Sequence, residues 1–144
     1  MKAAIDSRVG DVDAIVMSAA VADYRPKVFS NEKVKKGDDV SIELVRNPDI
    51  LMELGAARKG KLPVLVGFAV ETTQVEHYAR DKLVRKKVDL VVANEARHGF
   101  GGDENEAMLV SPEGTQVLPR MSKRDLGDRI LTRIRELHPG RKTA

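Results

Sequence analysis

The stretch that decides the fold is residues 64–94, which read VLVGFAVETTQVEHYARDKLVRKKVDLVVAN. It begins with a continuous apolar run over 64–69 and ends with a second apolar strand over 89–93. Between them, Thr73 with Glu76 three residues later has the form of a capping box, which predicts a helix to about Lys87. Strands that are apolar on both faces are typical of parallel sheets covered by helices. The stretch therefore predicts a strand–helix–strand unit.

The segments upstream continue this alternation. A helix is expected over 1–9 and a strand over 14–17, buried on both faces. A half-buried strand with apolar residues at alternate positions is expected over 40–46. The next helix is predicted over 47–59, with Asn47 at its cap position. The polar, basic segment 27–39 is expected to be an exposed, mobile loop.

The segments downstream predict a hairpin and a last helix. Residues 107–110 and 115–118 flank Pro112-Glu113-Gly114, a turn sequence. Ser122 is expected to open the last helix. The predicted fold class is α/β, Rossmann-like, with a mostly parallel sheet, helices on both faces and a C-terminal β-hairpin plus helix. We expect a single domain over 1–138 and a frayed tail over 139–144.

Composition excludes several classes of function. The chain has no cysteine, which removes disulfides and thiolate chemistry. A net charge of +3 and only 3% aromatic residues argue against a nucleic-acid-binding protein. Its apolar runs are too short for a membrane span, and it shows no secretory leader, so a cytoplasmic protein is expected. The histidines lack metal-ligand spacing.

Ligands of open α/β sheets bind beyond the carboxyl ends of the strands. The segment 18–26 follows such a strand and is rich in alanine, which would let a ligand approach the backbone closely. Within it, Asp23 is a candidate to accept hydrogen bonds from a sugar or a base. Tight helix–sheet packing explains the alanines equally well, and a turn or cap role explains Asp23.

Lysines supply candidate phosphate ligands in two places. The run 33–36, KVKK, is the densest positive cluster, and Lys82 and Lys86 lie four residues apart on one predicted helix face. Asn47 at a helix start would add free backbone N–H groups. Each feature also has a plain structural explanation, as a solvated charged face or a simple cap. The usual glycine-rich dinucleotide and P-loop signatures are absent from the sequence.

Six segments, taken in order, resemble one family, the phosphopantothenate–cysteine ligases. The segments are AAVADYRP (19–26), KVKK (33–36), VRNPDIL (45–51), VGFAVET (66–72), the stretch 78–86 and the strand 89–94. The resemblance covers nearly all of the chain from Ala14 onward. In most bacteria this ligase is the C-terminal half of a bifunctional coenzyme A biosynthesis protein, whose N-terminal half is a flavin-dependent decarboxylase that binds FMN.

The resemblance implies a ligase that joins 4'-phosphopantothenate to L-cysteine, with CTP as co-substrate and Mg²⁺. It implies Lys33 as the catalytic group at the reacting phosphates, and Lys35 and Lys36 in a mobile lid. It also implies a homodimer. The implied nucleotide-binding residues are Met17, Ser18, Ala19, Asp23, Lys33, Asn47, Pro48, Asp49, Ile50, Phe68, Lys82 and Lys86.

The sequence departs from the family pattern at its start. A glycine-rich GGT-x-EPID motif and an asparagine-bearing I-x-N-x-SSG motif are absent. A truncated ligase domain is therefore expected. The alternative is a non-catalytic CTP-binding or dimerisation fragment of that enzyme. A dinucleotide-dependent oxidoreductase is disfavoured by the missing glycine fingerprint.

Overall fold

The computed structural model describes residues 1–32, 41–95 and 104–140. It divides the chain into two compact units: unit 1 comprises Met1–Ser18 and Ile50–Ala144, and unit 2 comprises Ala19–Asp49. The helices are α1 (Lys2–Asp6), α2 (Ile50–Ala57), α3 (Val75–Arg85) and α4 (Lys123–Leu137), and a short 3-10 turn spans Val9–Asp11. The strands are β1 (Ala14–Met17), β2 (Tyr24–Pro26), β3 (Leu44–Arg46), β4 (Val64–Glu71), β5 (Leu90–Glu95), β6 (Glu104–Ser111) and β7 (Gly114–Ser122).

Unit 1 is built on a five-stranded sheet in the order β1-β4-β5-β6-β7. Strands β1, β4 and β5 pair in parallel, and β6 runs antiparallel to both β5 and β7. All the strands except β6 therefore point in one direction, which confirms the mostly parallel sheet. The hairpin of β6 and β7 turns at Pro112 and Glu113, as the sequence predicts.

Helices cover both faces of this sheet. On one face, α2 and α3 bury Leu51 and Leu83 against Leu65 and Val91. On the other, α4 buries an apolar stripe against alternate residues of β4 and β5; the stripe is formed by Leu126, Ile130 and Ile134. Burial of this kind stabilises a fold by roughly 1.5–3 kcal/mol for each large side chain. A mostly parallel sheet with helices on both faces confirms the Rossmann-like class.

Two expectations for the start of the chain are wrong. The predicted helix over 1–9 is divided into α1 and the 3-10 turn Val9–Asp11. Strand β1 is not buried on both faces, because it lies at the edge of the sheet and Val16 is 42% exposed. A continuous apolar run in a sequence cannot distinguish an edge strand from a central one.

Two of the three predicted helix caps are also wrong. Helix α3 begins at Val75 after Gln74, which has a left-handed backbone (φ 49°), and Thr73 does not cap it. The carboxylate of Glu76 instead accepts hydrogen bonds from Thr115 and Arg80. Helix α2 begins at Ile50, three residues after Asn47. The cap at Ser122 is confirmed, because its Oγ accepts a hydrogen bond of 3.1 Å from the Asp125 N–H.

Unit 2 contains the two-stranded antiparallel sheet of β2 and β3. The predicted strand over 40–46 is shorter than expected and its alternation is not half-buried, since Ile42 and Leu44 are both exposed. A sheet of only two strands is too small to bury one of its own faces. In the described ranges 1–32, 41–95 and 104–140, no helix has the length and apolarity needed to cross a membrane.

Candidate functional site

Four of the candidate residues of unit 1 lie where β1 ends beside β4: Met17, Ser18, Phe68 and Lys82. Met17 is the last residue of β1 and pairs with Gly67, while β4 continues to Glu71. The part of β4 from Phe68 onward therefore passes beyond its neighbour, and Ser18 leaves the sheet at this point. This is the carboxyl end of two parallel strands, where ligands of such sheets bind.

Lys82 is tied to this strand end. Its Nζ on α3 donates a hydrogen bond to the backbone oxygen of Phe68, and the lysine is partly buried. Phe68 is itself half-buried. Lysine carries a compact positive charge on a flexible stem, so the contact places an ammonium group at the β4 backbone. The structure thus brings together Phe68 and Lys82, which are 14 positions apart in the sequence.

Lys86 lies one helical turn beyond Lys82, at the C-cap of α3. Its carbonyl packs directly on α2, because a Cβ added at Gly55 would lie 1.9 Å from the Lys86 oxygen. Glycine at position 55 is therefore what allows α2 and the end of α3 to approach. Ile50, the first residue of α2, is buried in the apolar core, so its side chain is structural.

An ion pair between Arg58 and Asp89 joins the starts of β4 and β5 to the end of α2. The guanidinium of Arg58 binds both carboxylate oxygens of Asp89, and it also donates to the backbone oxygens of Pro63 and Lys87. Asp89 in turn accepts a hydrogen bond of 2.8 Å from the N–H of Leu65. The residues after α2, the start of β4 and the start of β5 are thereby joined through one hydrogen-bonded pair.

In unit 2, Asn47 connects the ends of β2 and β3. Its N–H donates to the Asp23 carbonyl at 2.7 Å, and its Nδ2 donates to the Ala22 carbonyl at 2.8 Å. Its Oδ1 accepts a hydrogen bond of 2.8 Å from Arg25. The expected capping role of Asn47 is replaced by this network, because the amide can satisfy both strand ends at once.

Two arginines of unit 2 are not among the residues predicted from the sequence. Arg25 holds Asn47, and Arg46 lies over the Tyr24 ring with its Cζ 5.8 Å from the centroid. A hydrogen bond to the Tyr24 hydroxyl, with smaller contributions from Asp23 and Asp49, raises the pKa of Arg46 above its usual value. Both arginines lie inside the ADYRP and VRNPD segments, and that position is the sequence signal that could have identified them.

The remaining candidates are exposed, half-buried or outside the described residues. Ala19, Asp23 and Pro48 are exposed, and Asp49 is half-buried. Lys33, Lys35 and Lys36, named for catalysis and the lid, lie outside the described residues. Throughout the part of the chain that the structure describes, there is no group of three or more His, Asp or Glu side chains that could hold a metal ion.

A mostly parallel sheet that is covered by helices on both faces, with candidate ligand-binding residues at the carboxyl ends of its parallel strands, defines a Rossmann-like α/β protein. A family model described as the DNA/pantothenate metabolism flavoprotein C-terminal domain matches residues 1–137. The chain belongs to this family, as the sequence resemblance indicated.

Relatives and a solved structure agree with this assignment. The chain is 42% identical over 141 residues to the coenzyme A biosynthesis bifunctional protein CoaBC of Escherichia coli strain K12, covering 93% of this chain and 34% of that protein. It is 43% identical over 142 residues to CoaBC of Bacillus subtilis strain 168, covering 95% and 34%. A crystal structure of a CoaBC C-terminal domain superposes with a TM-score of 0.74 at 34% identity, covering 92% of this chain and 58% of that one. The chain spans about a third of the length of the curated relatives it matches.

Proposed function

We propose that the chain is the CTP-dependent phosphopantothenate–cysteine ligase domain of a coenzyme A biosynthesis protein. The observation that carries the proposal is the contact of Lys82 with the Phe68 backbone at the carboxyl end of β4. Both residues are nucleotide ligands in the family pattern. The proteins at 42–43% identity are named for coenzyme A biosynthesis.

The reaction has two steps. A carboxylate oxygen of 4'-phosphopantothenate attacks the α-phosphorus of CTP, a P–O bond forms, and the bond to the β-phosphate breaks to release pyrophosphate. The cysteine amine then attacks the acyl carbon, a C–N bond forms, CMP leaves with the C–O electron pair, and the amine releases a proton. The first step joins two anions, so positive charge is needed to stabilise the transition state.

The lysines supply that charge in this proposal. Lys33 acts at the reacting phosphates, and Lys35 and Lys36 belong to a lid that excludes water from the acyl-cytidylate. Lys82 and Lys86 hold the triphosphate. The backbone at Met17, Ser18 and Ala19 supports the nucleotide, with Asp23 and the segment 47–50 as further ligands.

Magnesium would act mainly on the phosphates. Mg²⁺ in nucleotide sites is commonly held by one or two carboxylates together with substrate phosphates and water. In this proposal the ion enters with CTP. When bound, the ion would neutralise phosphate charge.

The decisive experiment is to incubate the chain with phosphopantothenate, CTP, Mg²⁺ and cysteine and to measure pyrophosphate release. We expect release, and we expect Lys33→Gln to slow formation of the acyl-cytidylate while leaving the melting temperature unchanged. Absence of pyrophosphate together with stabilisation of the chain by CTP would favour the alternative, a non-catalytic CTP-binding fragment.

Lys82→Gln tests the contact on which the proposal rests. We expect it to weaken CTP binding at least about tenfold, because one charge-assisted phosphate contact is worth roughly 1.5–3 kcal/mol. Lys59→Gln is the matched control, since Lys59 is an exposed lysine beyond the end of α2. Equal CTP affinity in the two variants would remove Lys82 from the site.

A further inference from the structure

A second surface at the same strand end lies on the opposite face of the sheet from α3. Side chains alternate along a strand, and Val66 and Val92 belong to the core cluster beneath α4. By the same alternation Phe68, Val70 and Asn94 occupy that face, and Phe68 packs against its core cluster. Val70 is the register partner of Asn94 on the neighbouring strand.

This surface is mostly apolar and is left partly open. Val16 of β1, on the same face by alternation from Ala14, is 42% exposed, and Val70 is 45% exposed. Helix α4 covers the face over its central part but not over these two valines. An open apolar sheet surface beside Phe68 is suited to the flat, uncharged part of a ligand, since aromatic rings stack there.

Asn94 is the polar group on this surface. It is 8% exposed, yet among the residues that the structure describes its amide has no hydrogen-bond partner. The polar atoms of Asn94 remain accessible to solvent. In this they differ from Oδ1 of Asn105, which among the described residues is inaccessible to solvent and has no hydrogen-bond partner. A nearly buried amide without a partner is unfavourable, and a ligand that bonds to it relieves that penalty.

The chemistry favours a base or a ribose over a phosphate as that ligand. An asparagine amide presents both donors and an acceptor, which match the ring edge of a pyrimidine or a sugar hydroxyl. Phosphates instead require positive charge, and the described ammonium group at this strand end, that of Lys82, belongs to α3 on the other face.

We infer that the Asn94 amide binds the nucleoside part of the nucleotide, with the base lying on the surface formed by Val16, Phe68 and Val70. This inference rests on the proposed function, because it assigns a further ligand within the same CTP site. It makes Asn94 a nucleotide-binding residue that contacts neither the transferred phosphate nor pyrophosphate.

Calorimetric titration with CTP and with CMP tests this assignment. Asn94→Leu keeps the volume of the side chain and replaces the amide by an apolar group, and Asn94→Ala is the second variant if the first does not fold. We expect either substitution to weaken CTP and CMP binding by the same factor, roughly tenfold, because both ligands carry the nucleoside. Lys82→Gln should weaken CTP binding more than CMP binding.

Asn105→Ser is the matched control. Its Oδ1 is sealed from solvent, so its loss should leave the affinity for both nucleotides unchanged. The inference is overturned if Asn94→Leu binds both nucleotides like the unsubstituted chain, or if it loses affinity for CTP alone. Failure of the unsubstituted chain to bind CTP would instead overturn the proposed function, and the inference with it.

Discussion

At the scale of single residues, Glu76 shows how one carboxylate joins α3 to the C-terminal hairpin. Its Oε1 accepts hydrogen bonds from Thr115 Oγ1 at 2.5 Å and from Arg80 Nε at 3.2 Å. The Thr115 bond is the largest cause, followed by Arg80, of a pKa for Glu76 that is lowered from its usual 4.5. These contacts favour the ionised carboxylate in the folded chain.

The lowered pKa of Glu76 predicts a pH-dependent contribution to stability. A carboxylate whose pKa is depressed by folding stabilises the fold above its unfolded pKa, and this stabilisation is lost as pH falls through the folded value. Glu76→Gln should therefore lower the free energy of unfolding near pH 7, and the difference from the unsubstituted chain should shrink as pH falls below the unfolded pKa of about 4.5 and disappear below the lowered folded pKa. Urea unfolding across this range measures it. In a Thr115→Val background the effect should shrink, and a difference that stays constant with pH would contradict the prediction.

Asn47 shows at the same scale what the sequence could not decide. The segment Asn47-Pro48-Asp49 has the composition of a helix start, and α2 does begin immediately after it. The side chain of Asn47, however, is used by Ala22 and Arg25, which are more than twenty positions away. Local composition gives the approximate boundary of an element, whereas the partner of a polar side chain depends on contacts between distant segments.

At the scale of elements, two glycines with opposite surroundings test how α2 is held. Gly55 faces the backbone at the C-terminus of α3, where an added Cβ would lie 1.9 Å from the Lys86 oxygen. Gly127 lies within α4 with nothing within 4 Å of such a Cβ. Both glycines lie inside helices, where glycine is a poorer helix former than alanine, so a substitution by alanine at the two positions differs mainly in the space around the new Cβ.

Substitution by alanine should therefore have opposite effects at these two positions. Gly55→Ala should destabilise unit 1 by about 1–3 kcal/mol, because α2 must move away from α3. Gly127→Ala should stabilise it by up to about 1 kcal/mol, because alanine is the better helix former. Denaturant unfolding of both variants measures the free energies. Changes of the same sign would show that the α2–α3 approach is not as close as the structure has it.

At the scale of the whole molecule, the strand–helix–strand stretch 64–94 was sufficient to predict the sheet. Its apolar runs became the central strands β4 and β5, whose side chains form both halves of the core. Which strands lie next to each other was harder to predict from the sequence. The edge position of β1 and the short pair of β2 and β3 depend on which segments lie beside them, and apolar content alone does not encode that. The catalytic lysine of the candidate site, Lys33, stays a prediction.

Unit 2 also carries apolar side chains that the described structure leaves uncovered. Phe29 is 84% exposed and Ile42 is 66% exposed, with Val28 and Leu44 exposed as well. Concentrated exposed apolar residues are typical of association surfaces. We propose that a second copy of the chain covers them, which agrees with the homodimer implied by the family resemblance.

The homodimer predicts a specific loss of association. In a two-fold symmetric dimer each substitution removes a contact from both copies, so Phe29→Ser combined with Ile42→Ser should raise the dimer dissociation constant well over tenfold. Sedimentation velocity over a concentration series measures the monomer fraction. Val84→Ser is the matched control, because Val84 is 75% exposed on α3 in unit 1 and its loss should leave the dimer intact. Unchanged sedimentation of the double variant would place the association surface elsewhere, whereas dissociation by Val84→Ser would move it to α3.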